Sequence, residues 1–591
     1  MKKYKLYITM AASLFLASSC YDLDVYPEDK LAVENFFKTQ DHADQAMMGI
    51  YNQLQHEDVF GRQPGFDCLG FVGSGYDPAS YQQIAQGTYT TTSGLVTGKY
   101  KQLYEGIARA NVLLQNVDKC AMSDELKAQY KGEARFLRGL YYFTLLDFFG
   151  GVPLYDESTN VGTDYMTMLK ERSSADDTRK FILEDLTEAE RVLPTAWSEN
   201  NHGRATKAAA QALMGKVLLY KANGTKQKAD FKAAKDCFEK LLNDKARYGE
   251  MELYPNYADL FTPEGDESSE MIFAIQNVGG VGKDFGMPLA KYLGSRATFG
   301  SDWNNVMASV PFVDSYECKD GTKFNWDDIF PGYNADPKVR KKQLYATLTK
   351  AGKVESYPEG RDELLEMYEN RDPRMQATII LPYTYYNGWY QNAPMKAELV
   401  LLAKQGEAHE KNSLIRINQG HQYYLWRKFV PEGDMNGQLN NREDTPINFP
   451  LIRLADVYLM LAECYNETDQ PDLAVEYINK VRARESVDMP KINEDGPQVG
   501  TDKKQIFERI RLERQWELAA EGWSFADMKR WEILGDKPRA ELQKEGEINI
   551  PVKNIVNGTV FTRVVRDRDY LWPIPQGEID KNSKLKQNPG W

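Results

Sequence analysis

The chain has 591 residues, enough for one very large core or several domains. Its 86 acidic and 73 basic side chains leave a formal charge of −13, which excludes a nucleic-acid binder built on a broad basic surface. Apolar content of 42% and charged content of 27% are those of a soluble globular protein, and 35 tyrosines supply flat apolar faces with polar tips, a surface suited to polar ligands.

At the N-terminus Lys2, Lys3 and Lys5 precede an apolar run over residues 6–16 that is too short to span a bilayer. Ala17, Ser18 and Ser19 then lead to Cys20. The segment resembles a bacterial lipoprotein signal, with residues 1–19 removed and Cys20 acylated, although Leu16 stands four residues before the cysteine instead of the usual three. More than one acyl chain on Cys20 would anchor the protein firmly to a membrane. Asp22 and Asp24 resemble the acidic tag that routes some such lipoproteins to the cell surface. No later stretch reaches transmembrane length. The other five cysteines (Cys68, Cys120, Cys237, Cys318 and Cys464) are far apart, odd in number and without a CxxC, which argues against a zinc site or a disulfide framework. Cys237 and Cys464 read as small core residues.

In chain order, residues 23–27 read as an extended linker, followed by a helix over 41–54 that Asp41 caps and that turns Ala43, Ala46, Met47 and Ile50 inward. Residues 57–98 have no period and are punctuated by Gly, Pro, Ser and Thr; a long irregular segment inside a compact protein is usually functional. Helices follow over 99–117, over 125–149 (stopped by Gly150, Gly151 and Pro153) and over 177–193. A helix pair occupies 205–221 and 227–242, with Ala208, Ala212, Gly215 and Leu219 inward on the first and Ala229, Ala233, Cys237 and Leu241 on the second.

Residues 255–448 lose the period and are rich in Tyr, Trp, Gly and Pro, with short strands expected at 270–276, 377–382 and 423–429. Another pair covers 451–466 and 471–484, with Pro471 in the first turn of its second helix. A third helix runs to Gly522, with Arg509–Glu513 and Arg514–Glu517 at pairing distance along it. Its charges are expected to brace neighbouring helices while Trp516, Trp523 and Trp531 anchor it. The tail is expected to dock through Trp572. The fold class is therefore mainly α: tetratricopeptide-like helix pairs carrying long irregular loops and a few short β-hairpins, as a single domain over 20–591 with a loop-rich insertion at about 255–448.

Several stretches together are similar to the SusD/RagB family: the lipoprotein start, GEARFLRGLYYFTLLDFFGGVPLY at 132–155, ENRDPRMQATI at 369–379, FPLIRLADVYLMLAECYNE, RLERQWELAAEGWSFADMKRW and YLWPIPQGEIDKNSKLKQNPGW. They cover the chain from end to end in the family's order. The resemblance implies a lipid-anchored, cell-surface, outer-membrane protein that binds oligosaccharide or polysaccharide. It also implies a partner, a SusC-like TonB-dependent transporter on which the protein sits as a lid. The family's binding residues vary with substrate, so none is carried over.

The residues themselves point away from catalysis. Five histidines form no HExxH and no His/Cys ligand spacing. No GxSxG surrounds Ser74, and VGGVGKDFG at 278–286 lacks the phosphate-loop pattern. A protein-interaction scaffold and a glycoside hydrolase remain the rival readings, since paired carboxylates are defined in space and not in sequence. A sugar binder needs aromatic faces for pyranose C–H patches and polar edges for hydroxyls. The irregular stretches offer Asp67, Tyr76 and Tyr81 in the first loop, and Trp303, Asn304, Trp326 and Trp389 in the second. No cofactor is expected; Asp327 and Asp328 could touch a structural calcium ion, but a helix-capping role suits them better.

Overall fold

A computed structural model describes residues 36–591 apart from 76–80, 160–167, 281–284, 301, 404–412 and 418–423. Cys20 and Tyr76 lie outside the described residues. The first helix, α1 (Gln40–Asn52), buries Ala43, Met47 and Ile50, and its cap is Thr39, whose hydroxyl accepts from His42 N, rather than Asp41. Four long helices follow: α2 (Gly94–Asn116), α3 (Asp124–Phe149), α4 (Ala175–Val192) and α5 (Lys207–Thr225). With α6 (Lys228–Asn243), each packs on its neighbour in the chain. The face of α6 differs from the expected one. Phe231, Ala234, Phe238 and Leu241 are buried, while Ala229 is exposed and Ala233 and Cys237 only half-buried. Burying a phenyl ring removes far more apolar surface from water than burying a methyl, so the two phenylalanines set the rotation.

The 255–448 region is more ordered than its composition predicts. Strand β1 (Gly73–Gly75) comes from the first irregular stretch, and β2 (Phe273–Ile275) and β3 (Val306–Ala308) from the second. A hairpin of β4 (Tyr385–Tyr390) and β5 (Ala393–Leu401) is extended by a parallel strand, β6 (Leu414–Ile417). The expected strands at 377–382 and 423–429 are present but short: a helical turn, Pro373–Thr378, takes the first two residues of the former, and Ile379–Ile380 pairs antiparallel with Leu425–Trp426. Antiparallel pairing joins β1 to β3, and β2 to β7 (Phe449–Ile452) at the entrance to the next helices.

Those helices are α7 (Leu454–Glu467), α8 (Pro471–Arg482) and α9 (Lys503–Glu517). The last ends five residues before Gly522 and is not a surface helix. Trp516, Glu513 and Glu517 are fully buried. Arg509 does pair with Glu513 along the helix at 3.6 Å. The expected Arg514–Glu517 pair does not form: Arg514 reaches Asp456 and Asp527, both at 2.8 Å, and Glu517 turns to Arg374, Arg453 and Arg484.

These contacts belong to a buried lattice of six cations (Arg374, Lys428, Arg453, Arg482, Arg484, Arg509) and six carboxylates (Glu270, Glu317, Asp372, Glu513, Glu517, Glu521). Equal numbers of opposite charges let each ion trade its lost water for partners, the condition under which buried ions are tolerated. Five of the twelve (Glu270, Glu317, Asp372, Arg374 and Lys428) come from the insertion. The lattice therefore fastens the irregular side to the helices. No helix among the described residues is long and apolar enough to cross a membrane.

Candidate functional site

The two irregular stretches meet. Pairing of β1 with β3 aligns Gly73 with Ala308 and Gly75 with Val306, and Ser309 adds a backbone bond to Val72 O at 2.9 Å. From β3 the chain runs back through Asn305 and Asn304 to Trp303. Trp303 N donates to Lys291 O at 2.8 Å and Asn305 N to Tyr292 O at 3.1 Å. Asn304, between them, takes a left-handed backbone (φ 50°), a conformation asparagine adopts more readily than most residues. This turn lays the Trp303 indole edge-on to the Tyr292 ring, centroids 5.8 Å apart at 70°, and leaves the indole 46% exposed.

Charged groups frame that indole. Lys291 Nζ lies 4.6 Å and the Arg442 guanidinium 5.1 Å from its centroid. Lys291 Nζ also sits 2.7 Å from Glu443 and 3.7 Å from Glu57. The Tyr292 hydroxyl donates to Glu57 at 2.9 Å; burial and the adjacent Glu57 carboxylate push its phenol well above the ordinary range, so it keeps its proton and remains a donor. The Oδ1 atoms of Asn304 and Asn305 are buried with no donor among the described residues. A half-exposed indole, with carboxylates held beside it through Lys291, combines an aromatic surface with polar acceptors, the chemistry that grips a sugar ring.

Of the other residues expected at the site, Asp67 is fully buried and serves the frame. Its carboxylate accepts from Gly522 N at 3.3 Å and Ser524 N at 3.4 Å. Gly522 has φ 76°, and a Cβ there would fall 2.0 Å from Gln63 O, so only glycine fits this close approach. Burial pushes the Asp67 carboxyl up to about 7. The sign follows from proton counting. Between the usual carboxylate range and pH 7 the folded state holds more protons than the unfolded state, so this group's favourable contribution is complete at acid pH and lost as pH rises to about 7. Asp67→Asn, which cannot ionise, is therefore expected to gain stability relative to the parent by more than about 1 kcal/mol between pH 5 and pH 8. Urea midpoints of both proteins at the two pH values measure it, and a pH-independent gap would contradict it.

Tyr81 is also interior: only 3% exposed, it stacks on Phe66 at 4.4 Å and donates to Arg62 O at 3.3 Å. Trp326 is buried face to face with Tyr333, centroids 4.4 Å apart. Trp389 is half-buried on β4, on the strand face opposite the short helix Arg296–Phe299. Alternation along the strand puts Tyr386 and Gly388 against the short helix Arg296–Phe299, where the Tyr386 hydroxyl meets Thr298 at 3.2 Å. A Cβ on Gly388 would fall 2.1 Å from Ala297 O. Trp389 is thus on the opposite face with Tyr385 and Asn387.

At Asp327 both carboxylate oxygens accept from Asn334, and the cap of the short helix Trp326–Ile329 is Asn325, whose side chain accepts from Asp327 N. Among the described residues no cluster of three or more His, Cys, Asp or Glu side chains is arranged to hold a metal ion. A cleft of about 390 Å³ between α2 and the tail is lined by Tyr100, Tyr104, Tyr155 and Leu585, but the Tyr104 and Tyr155 hydroxyls are already spent on the Pro153 and Met168 carbonyls.

Of the sequence candidates, the structure thus brings Trp303 and Asn304 to one exposed place and adds Glu57, Lys291, Tyr292, Arg442 and Glu443, which sequence reasoning missed. In the sequence Tyr292 is one tyrosine in a stretch rich in aromatics, and the four charged residues carry no local signal.

The fold and the site define a helical scaffold that presents a tryptophan platform on its irregular side. Residues 269–591 match the SusD family, and residues 22–219 match a family described as starch-binding, associating with outer membrane. The chain belongs to the SusD family. It is similar to SusD-like protein P25 of Formosa agariphila, 26% identical over 88% of this chain and 89% of that protein. A SusD-like carbohydrate binding protein of Bacteroides fragilis is 24% identical, with a TM-score of 0.70 over 93% of this chain and 100% of that one. A laminarin binding SusD-like protein is 21% identical, with a TM-score of 0.61 over 94% of this chain and 100% of that one.

Proposed function

We propose that this protein is a cell-surface glycan-binding lipoprotein that captures oligosaccharide at Trp303 and passes it to a SusC-like TonB-dependent transporter in the outer membrane, without cleaving it. The observation that carries the reading is the half-exposed Trp303 indole, set edge-on to Tyr292 and beside Lys291, which Glu57 and Glu443 hold. Family membership, the outer-membrane association in one family description, and relatives described as carbohydrate and laminarin binding support it. Cys20 is the proposed acylation site and membrane anchor. A shallow site of this kind gives affinities of about micromolar to millimolar, because little surplus energy remains after ordering ligand and side chains.

Isothermal titration against a polysaccharide panel tests the reading. Trp303→Ala is expected to weaken binding about ten-fold or more, because it removes the aromatic anchor. Trp389→Ala, on the opposite face of its hairpin, is expected to leave the affinity unchanged. Affinity indifferent to Trp303→Ala would move the site elsewhere, and reducing-sugar release by the purified protein would favour a hydrolase.

A further inference from the structure

We propose that the Trp303 site takes neutral oligosaccharides and rejects chains that carry uronate or sulfate groups. The inference rests on Trp303 being the glycan platform and adds the class of glycan. Three segments meet at the indole: residues 57–62, 291–303 and 441–445. Together they hold five carboxylates (Glu57, Asp58, Asp302, Glu443, Asp444) and four cations (Arg62, Lys291, Arg296, Arg442). The balance is slightly negative, within a chain that is itself acidic.

Position matters more than the count. Three of the four cations are recessed: the side chains of Lys291, Arg62 and Arg442 are 11%, 13% and 26% exposed, and the two that lie against the ring, Lys291 and Arg442, are among them, while Arg296 is exposed. The carboxylates of Glu57 and Glu443 stand further out, at 40% and 48%.

Each recessed cation is also already engaged. Lys291 bridges Glu443 and Glu57, Arg442 Nε lies 3.5 Å from Glu443, and Arg62 pairs with Asp58 and sits 3.7 Å from Glu57. An anionic sugar stacked on Trp303 would bring its charge against Glu57 and Glu443. To gain either cation that lies against the ring it would have to displace one of these carboxylates from Lys291 or Arg442. A neutral sugar meets no such opposition. Its hydroxyls donate to the outward carboxylate oxygens, and hydrogen bonds to an ionised acceptor are stronger than neutral ones. The same two glutamates thus attract one class and repel the other, which is how specificity against a competitor is built.

The test uses the full mature protein in detergent, titrated at low salt with starch, laminarin and xyloglucan, and with polygalacturonate, alginate and heparin. At least one neutral chain is expected to bind in a Trp303-dependent way, with every anionic chain about ten-fold weaker or worse. Raising the salt concentration should narrow the gap by screening. The double change Glu57→Gln, Glu443→Gln should narrow it too, by admitting anionic chains. An anionic chain that binds as tightly as any neutral one, and loses that binding in Trp303→Ala, would overturn the inference and leave the platform standing. If no chain of either class depends on Trp303, the platform itself is wrong and the inference falls with it.

Discussion

Replacing Glu517 by alanine is expected to lower the unfolding free energy by about 3–5 kcal/mol, the usual cost of removing one partner from a buried ion pair. Glu517 is fully buried and is the carboxylate that Arg374, Arg453 and Arg484 share, at 3.2, 2.8 and 2.8 Å. Its loss leaves an excess positive charge with no route to water. Burial alone would raise the Glu517 carboxyl, but Arg484, Arg453 and Arg374 outweigh burial and hold it well below the ordinary carboxylate range. A depressed carboxyl contributes stability that is present above its unfolded value and lost as pH falls below it. The parent should therefore lose stability steeply on acidification below about pH 4.5. Glu517→Gln should flatten that slope, because the protonation it reports is gone. Urea unfolding of parent, alanine and glutamine variants at neutral and acid pH measures both effects. A change under about 1 kcal/mol in the alanine variant at neutral pH would show that the lattice is not held together through this residue.

The second large effect is expected at Trp572. The tail chain docks here, with Trp572 N donating to Phe148 O at 2.7 Å. Its indole is 1% exposed and packs against Phe148 at 4.7 Å, Phe66 at 6.1 Å and Phe149 at 6.2 Å. Trp572→Ala opens a large cavity at a three-way junction of α3, the first irregular stretch and the tail, so a loss of about 3–5 kcal/mol is expected. Because Phe66 belongs to the stretch that leads through β1 to the site, the loss should extend to glycan affinity near the unfolding midpoint. Thermal unfolding followed by tryptophan fluorescence gives the stability term, and titration well below the transition separates it from any direct role in binding. An unchanged melting temperature would mean that the tail is a passenger.

How far the sequence revealed these features depended on the range of the interaction that governs each one. The helix expected at 125–149 is observed as Asp124–Phe149, because apolar periodicity and the stop at Gly150, whose φ is 74°, are local signals. Pro471 opens α8 as its missing N–H allows. The rotation of α6 was misjudged, because small alanines signal close approach, while Phe231 and Phe238 carry more burial energy. The arginines and glutamates of α9 were expected to brace neighbouring helices. They do, but as interior ions: Arg374 meets Glu513 across 139 residues of chain and Glu517 across 143.

The candidate site divides in the same way. Composition marked the two aromatic, aperiodic stretches, and they do converge through the β1–β3 pairing. Composition did not distinguish an open tryptophan from a closed one: Trp326 is 7% exposed and Trp303 is 46% exposed, although both lie in the same kind of sequence. Asp67 looked like a polar edge for a ligand and instead holds the backbone at Gly522 and Ser524, more than 450 residues away.

The sequence by itself determined the family, the positions of the long helices and the two stretches from which a site would be made, because periodicity, caps and motifs act over a few residues. Only the tertiary structure decided which aromatic faces the solvent, which ions pair, and that Lys291, Tyr292 and Arg442 lie against Trp303 while Glu57 and Glu443 hold Lys291. Those outcomes are set by burial and long-range pairing, where the energy of a contact depends on a partner hundreds of residues away.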